Sequence, residues 1–245
     1  AQVIIKNVTK MYGKVKAVSG LSIECRDKEF VCILGPSGAG KTSTLRMIGG
    51  LEDITEGEIY IDGVLVKNHH PSKRDVPMVF ETYALYPHMT VFENIAYPLK
   101  VQNIPDDLKR EKVYSAAKLL EIVDLLDRYP KQLSGGQKQR VAIGRAIVRK
   151  PKVFLMDEPI AHLDAKLRAH MRGELKHLQR ELDETFIYAT HDQIEAMSMA
   201  DRIAVIDHGE LQQYDVPDAI YNHPINLFVA GFVGDIPMNF IPCML

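Results

Sequence analysis

Apolar residues recur along this chain in two rhythms, and the switch between them marks its organisation. The first sixty or so residues carry short runs: Val3-Ile4-Ile5, then Val15-Lys16-Ala17-Val18 beyond a turn at Gly13, then Leu21 to Glu24, where apolar and polar residues alternate as on an edge strand. Phe30-Val31-Cys32-Ile33-Leu34 is apolar throughout, which predicts a strand buried on both faces. It leads through a glycine-rich stretch into a helix-compatible Ser43 to Gly49, and Gly57 to Gly63 reads as a strand closing in a turn. From about Thr82 to Ser134 the period becomes helical. Leu108, Val113, Ala116, Leu119, Leu120, Val123 and Leu126 recur at one-face spacing with charges between them, predicting a helical insertion. Gln137 to Arg149 reads as a second helix stopped by Pro151, and Val153 to Met156 as a strand. Ala165 to Asp183 reads as a charged amphipathic helix whose basic and acidic residues form a solvated face. Phe186 to Ala189 and Ile203 to Ile206 complete the strands, the second turning at Asp207-His208-Gly209. Strands alternating with helices imply right-handed crossovers. The expected fold class is α/β, with a mostly parallel core sheet, an N-terminal antiparallel β layer and an inserted α-helical subdomain.

Composition narrows this picture in a few places. The chain has 245 residues, 46% hydrophobic and 25% charged, enough for one large domain or two small ones. A formal net charge of -2 supplies no basic field, so no nucleic-acid partner is expected. Cys25, Cys32 and Cys243 have no metal-ligand spacing and read as reduced thiols. No apolar run approaches the roughly 18 residues that cross a bilayer, and Ala1-Gln2-Val3 begins no signal-peptide pattern. His69-His70 and the pair His170 and His177 lack a third ligand at metal spacing.

The chemistry is concentrated in three motifs. Gly35-Pro36-Ser37-Gly38-Ala39-Gly40-Lys41-Thr42 fits GxxxxGK[ST], the phosphate loop of P-loop NTPases. Its glycines let successive N–H groups converge, and the following helix adds its positive end. Lys41 is then placed to reach phosphate oxygens, Thr42 to hold Mg²⁺, and Ser43 to flank it. Lys152 to Glu158 is an apolar strand ending in two carboxylates: Asp157 for Mg²⁺, Glu158 to orient and deprotonate the attacking water. Leu133-Ser134-Gly135-Gly136-Gln137 stands before a helix and forms a second anion cap by the same physics. One nucleotide does not need two such cradles in one chain.

The order Gly35–Thr42, Leu133–Gln137, Asp157-Glu158, Asp164, His191 resembles the nucleotide-binding domain of ABC transporters along essentially the whole chain. Tyr83 to Val91, Leu163 to Arg168, Phe228 to Phe232 and Pro237 to Phe240 are similar to the ATPases of sugar importers, the maltose and glycerol-phosphate group. That resemblance implies an ATPase working on Mg-ATP, with Tyr12 stacking on adenine and Val18 beneath the same ring. It implies that His191 contacts the γ-phosphate, and that Asp164 communicates between two sites. It also implies a head-to-tail dimer with a second copy or a homologous ATPase, in which ATP on one phosphate loop is capped by Ser134–Gln137 of the other. Transmembrane permease subunits, an external solute-binding protein and a peripheral place on the cytoplasmic face of the cell membrane follow from the same source. The loop near Glu81–Thr90 and the helical insertion are expected to pass motion to the permease.

Two positions depart from the family pattern. Glu81 stands where Gln is usual, in a loop that contacts Mg²⁺ and the attacking water; it keeps an oxygen ligand, adds a negative charge and loses an amide donor. Ala161 stands where Ser is usual. Retuned turnover is expected, with a nucleotide-gated regulatory module or a non-transport ABC ATPase as alternatives. The expected division is a nucleotide-binding domain over 1–235, its helical subdomain at about 82–134, and 236–245 as the start of a C-terminal regulatory domain that is truncated or absent.

Overall fold

The computed structural model describes residues 1–234 and 238–241. In chain order the elements are β1 (Val3–Tyr12), β2 (Val15–Cys25), β3 (Phe30–Leu34), α1 (Lys41–Gly49), β4 (Glu56–Ile61), β5 (Val64–Leu65), α2 (Pro71–Arg74), β6 (Met78–Val79), α3 (Val91–Val101), α4 (Asp106–Leu119) and α5 (Gly135–Ile147). There follow β7 (Val153–Asp157), α6 (Ala165–Leu182), β8 (Thr185–Thr190), α7 (Gln193–Met199), β9 (Arg202–Asp207), β10 (Glu210–Asp215), α8 (Pro217–Asn222) and α9 (Leu227–Phe232). An antiparallel sheet runs β2-β1-β4-β5, and a second sheet runs β10-β9-β3-β8-β7-β6, parallel except for β10.

The strand period decides which layer each face meets. In β3, Phe30, Cys32 and Leu34 join the core shared with the helical side, while Val31 and Ile33 face the core under the antiparallel sheet and α1. All residues of β3, β7 and β8 are buried, which is why these stretches read as unbroken apolar runs. Phe30, Phe154 and Phe186 interlock across the sheet at centroid distances of 5.6 Å and 4.8 Å. Buried Arg74 closes the C-terminal end of α1, donating to Met47 O at 2.7 Å and Ile48 O at 2.9 Å.

Several elements differ from expectation. Val15–Val18 and Leu21–Glu24 are one continuous strand; the irregularity between them is absorbed at Gly20, which takes φ +58°. The helix expected to run to Leu126 stops at Leu119, because Glu121 turns left-handed (φ 54°) and Val123–Leu125 forms only a tight single turn. α3 lies within the expected helical stretch and forms although it contains Pro98, started by a reciprocal Thr90–Glu93 cap. Met156 and Met199 are buried and Met197 partly so. Cys25 and Cys32 are buried free thiols, pushed up in pKa by burial, while Cys243 lies outside the described residues, as does Pro237. On α6 the solvated face is broken by Arg168, which reaches Asp192, and Lys176, which reaches Asp201.

Candidate functional site

The parallel sheet brings the C-terminal ends of its strands to one crevice. β3 ends at the Gly35–Thr42 loop, β7 at Asp157, β8 at Thr190 before His191, and β6 just before Glu81. Gly40 caps α1 at φ +98°, and a Cβ there would meet Ala17 O at 2.5 Å. A Cβ on Gly35 would meet Ile206 O at 2.3 Å. The loop thus sits directly on the backbones of β2 and β9, tied by Gly209 N–H donating to Ala39 O at 3.1 Å. It surrounds an open cleft of about 740 Å³ that Glu81, Asp157 and Glu158 border from the other side.

Within the cleft Lys41 is only 4% exposed. Its ammonium donates to Gly35 O at 2.9 Å and Pro36 O at 3.0 Å, and lies 3.4 Å from Glu158 Oε1. Thr42 Oγ1 donates to Asp157 Oδ1 at 2.9 Å. Burial raises the Asp157 carboxyl above its usual range, the Thr42 bond works against the rise, and the charges of Glu158 and Glu81 add to it. Glu158 has left-handed backbone (φ 45°), and its N–H bonds Ala189 O at 3.0 Å, fastening the end of β7 to β8. Its second carboxylate oxygen lies 2.7 Å from His191 Nδ1, so one carboxylate spans Lys41 and His191. Glu81 reaches His162, with Oε1 3.3 Å from Nε2.

Tyr12 stands exposed, its hydroxyl 3.4 Å from Ser43 Oγ and the Lys10 ammonium 4.8 Å over its ring. Val18 does not share that exposure. It is 1% exposed, its Cγ2 in the space beside Gly40, because the alternation of β2 turns it inward and turns Ala17 to the cleft. Ala39 and Gly35 are likewise buried; Pro36 is half-buried, Ser37 and Gly38 exposed.

Ser134 caps α5, accepting from Gln137 N–H at 3.3 Å while its own N–H donates to Gln137 Oε1 at 2.9 Å. Gly135 and Gly136 lie against Leu163 and Leu167, and a Cβ at Gly135 would come 2.9 Å from Leu163 Cδ2. Asp164 caps α6 by accepting from Leu167 N–H at 3.0 Å. Ser134, Gly136 and Gln137 border a cleft of about 550 Å³ that shares no lining residue with the cleft at Lys41.

Sequence reasoning missed four residues that shape the site. Ala17 carried no signal beyond its place beside Val18, and His162 none beyond its nearness to Asp164. Arg145 donates to Tyr83 O at 2.9 Å and Ala84 O at 2.6 Å, and buried Asn94 accepts from Tyr86 N–H at 2.8 Å and donates to Tyr86, Met89 and Thr90 carbonyls. Together these two hold the loop that carries Glu81. Asn94 in an otherwise apolar helical face was the one readable hint.

Among the described residues no helix is long and apolar enough to cross a membrane. Residues 18–161 match the family model described as ABC transporter. The chain is 55% identical over 251 residues to the trehalose/maltose import ATP-binding protein MalK of Thermococcus litoralis, covering 100% of this chain and 68% of that protein. It is 53% identical over 243 residues to the sn-glycerol-3-phosphate import ATP-binding protein UgpC of Cupriavidus necator, covering 99% and 66%. Its fold superposes at TM-score 0.77 and 33% identity on a dimeric ATP-binding cassette in a post-hydrolysis state with ADP and Pi, covering 88% of this chain and 98% of that one. The chain thus spans about two thirds of the length of these curated relatives. With a phosphate loop facing Asp157 and Glu158, and Ser134–Gln137 on a separate cleft, the chain belongs to the ABC transporter family as an ATP-binding ATPase domain.

Proposed function

We propose that the chain is the Mg-ATP-driven motor of an importer for a sugar or related solute, working as a head-to-tail dimer at the cytoplasmic face of a membrane beneath permease subunits. The observation that carries the dimer is the separation of the two anion-binding loops. Within one chain, Ser134–Gln137 face a different cleft from Lys41, so both loops act on one nucleotide only if the second comes from another copy. ATP then forms part of the interface and shifts the population toward the closed pair. The solute class rests on the import proteins the chain resembles, which are named for disaccharides and glycerol phosphate.

The roles proposed for single residues follow from their contacts. Lys41 exchanges its bonds to Gly35 O and Pro36 O for phosphate oxygens. Thr42, Asp157 and Glu81 supply a hydroxyl and two carboxylates, a hard oxygen set suited to Mg²⁺. When bound, that ion neutralises charge on the phosphate oxygens. Glu158 accepts the proton of the attacking water on its carboxylate, and His191 holds that carboxylate from the far side. Tyr12 offers its ring to the base once Lys10 moves aside, with Ala17 bordering the same cleft. We assign 1–235 to the nucleotide-binding domain, with its helical subdomain at about 82–134.

The test is Mg-ATP hydrolysis by the purified chain over a range of protein concentrations, with Glu158→Gln as control. A rate per chain that climbs with concentration and collapses in the variant is expected. A rate per chain independent of concentration would refute the shared site.

A further inference from the structure

The His191 side chain is about half exposed, and among the described residues its ring makes one hydrogen bond, from Nδ1 to Glu158 Oε2 at 2.7 Å. A carboxylate only accepts, so Nδ1 carries the hydrogen. A half-exposed ring is aimed mainly by the backbone that carries it, and β8 ends one residue earlier, at Thr190. The residues on either side of His191 are instead tied to one side chain of α7. Glu195 is 2% exposed, and its Oε2 accepts from Thr190 Oγ1 at 2.7 Å. That hydroxyl oxygen in turn accepts from Asp192 N–H at 2.9 Å. Asp192 Oδ1 closes the circuit by accepting from Glu195 N–H at 3.0 Å. The arrangement is a reciprocal helix cap with a hydroxyl inserted into one of its two bonds. Tyr188 Oη donates to the same Glu195 oxygen at 2.8 Å, but from within β8 and without touching the turn.

We infer that Glu195, acting through the Thr190 hydroxyl, is a positioning residue that aims His191 at Glu158. The carboxylate fixes the Thr190 hydroxyl with its hydrogen toward α7, which leaves an oxygen lone pair for Asp192 N–H. With Thr190 and Asp192 both held, the backbone of His191 between them has little freedom, and its ring stands within reach of the proposed base. A misplacement of about 1 Å caused away from the chemistry can cost about 100-fold in rate. His191 acts on the attacking water only through Glu158, so a smaller loss, about tenfold, is expected here. The inference rests on the roles proposed for Glu158 and His191.

Two variants that each take one hydroxyl from Glu195 separate aim from stability. Thr190→Val cuts the link to Asp192, whereas Tyr188→Phe leaves that link whole; urea unfolding verifies that both fold. Thr190→Val is expected to lower kcat about tenfold with KM for ATP little changed, and Tyr188→Phe to leave kcat within about twofold. Glu195→Leu should behave like Thr190→Val, and Glu195→Gln, whose amide oxygen still accepts from Thr190, should keep the parent rate. Imidazole nitrogen NMR of the ligand-free chain gives a readout independent of turnover, with the His191 signal identified by its absence from His191→Ala. That signal is expected to shift in Thr190→Val and Glu195→Leu and to stay in place in Tyr188→Phe and Glu195→Gln. Equal losses of kcat or equal shifts in Thr190→Val and Tyr188→Phe would overturn the inference, as would an unmoved signal in Thr190→Val. If the signal moves as expected while His191→Ala hydrolyses ATP at the parent rate, the role given to His191 fails and Glu195 still aims the ring.

Discussion

Three glycines of the phosphate loop separate backbone strain from lack of space, because each faces a different combination of the two. Gly38 takes φ +83° with nothing within 4 Å of the place a methyl would occupy, so Gly38→Ala incurs the left-handed penalty alone, about 1–2 kcal/mol. Gly35 has ordinary φ, but its Cβ would lie 2.3 Å from Ile206 O and 3.1 Å from Ala39 Cβ; forcing a methyl into that space costs about 1–3 kcal/mol, and backbone on the other side yields little. Gly40 combines both, with φ +98° and a Cβ 2.5 Å from Ala17 O and 3.2 Å from Val18 Cγ2, so about 3–4 kcal/mol is expected. Urea unfolding of the nucleotide-free variants, compared through midpoints at constant m, gives these differences directly. The expected order of destabilisation is Gly40→Ala, then Gly35→Ala, then Gly38→Ala. A Gly38→Ala variant as unstable as Gly40→Ala would show that φ alone governs the loop and that its seat on β2 and β9 is loose.

Further outcomes follow from groups outside the cleft. Arg202 bonds Glu29 through both Nε (2.5 Å) and Nη2 (2.7 Å) in a nearly buried pair, so Arg202→Met strands a carboxylate and is expected to destabilise the fold by about 3 kcal/mol in chemical denaturation. Glu195 is buried, accepting from Tyr188 Oη at 2.8 Å and Thr190 Oγ1 at 2.7 Å, and burial raises its carboxyl. A raised folded-state value means that the stability it contributes is present at low pH and is lost as pH rises through that value. Glu195→Gln should therefore raise Tm relative to the parent at pH 7 and lose that advantage near pH 4; an advantage that grows on acidification would contradict the assignment. Tyr83 and Ala84 sit at φ 61° and 46° with their carbonyls held by Arg145, so Arg145→Met should speed amide hydrogen exchange over 81–86 and cost about 2 kcal/mol.

The parts that were legible in the amino-acid sequence are those whose physics is local. β3, β7 and β8 announced themselves because a strand covered on both faces is apolar along most of its length. The phosphate loop did so because close backbone approach leaves glycine no substitute at Gly35 and Gly40. What stayed hidden depended on contacts between distant segments. The Glu81–His162 approach joins residues 81 positions apart in the chain, and no periodicity encodes it. The phase of β2 was hidden for a subtler reason: β2 is one continuous strand, so its alternation assigns Ala17 to the cleft and Val18 to the core, whereas two short strands left that phase undefined. In α3, Pro98 argues against a helix locally but is outweighed by the Thr90–Glu93 cap and by burial of Val91, Ile95 and Leu99.

The partners of Lys41 bear on why the chain should hydrolyse ATP only when a nucleotide is fully seated. An ammonium this buried needs oxygens, and it finds them in Gly35 O, Pro36 O and Glu158. The proposed base is therefore paired with the very cation that phosphate will claim. On the proposed reading, phosphate oxygens draw Lys41 away, and Glu158 keeps only His191 as a partner. Its Oε1 is then open to a proton from the attacking water. Seating of phosphate and release of the base become one event, linked through a single side chain. Water that arrives without a nucleotide meets a carboxylate whose oxygens are already taken.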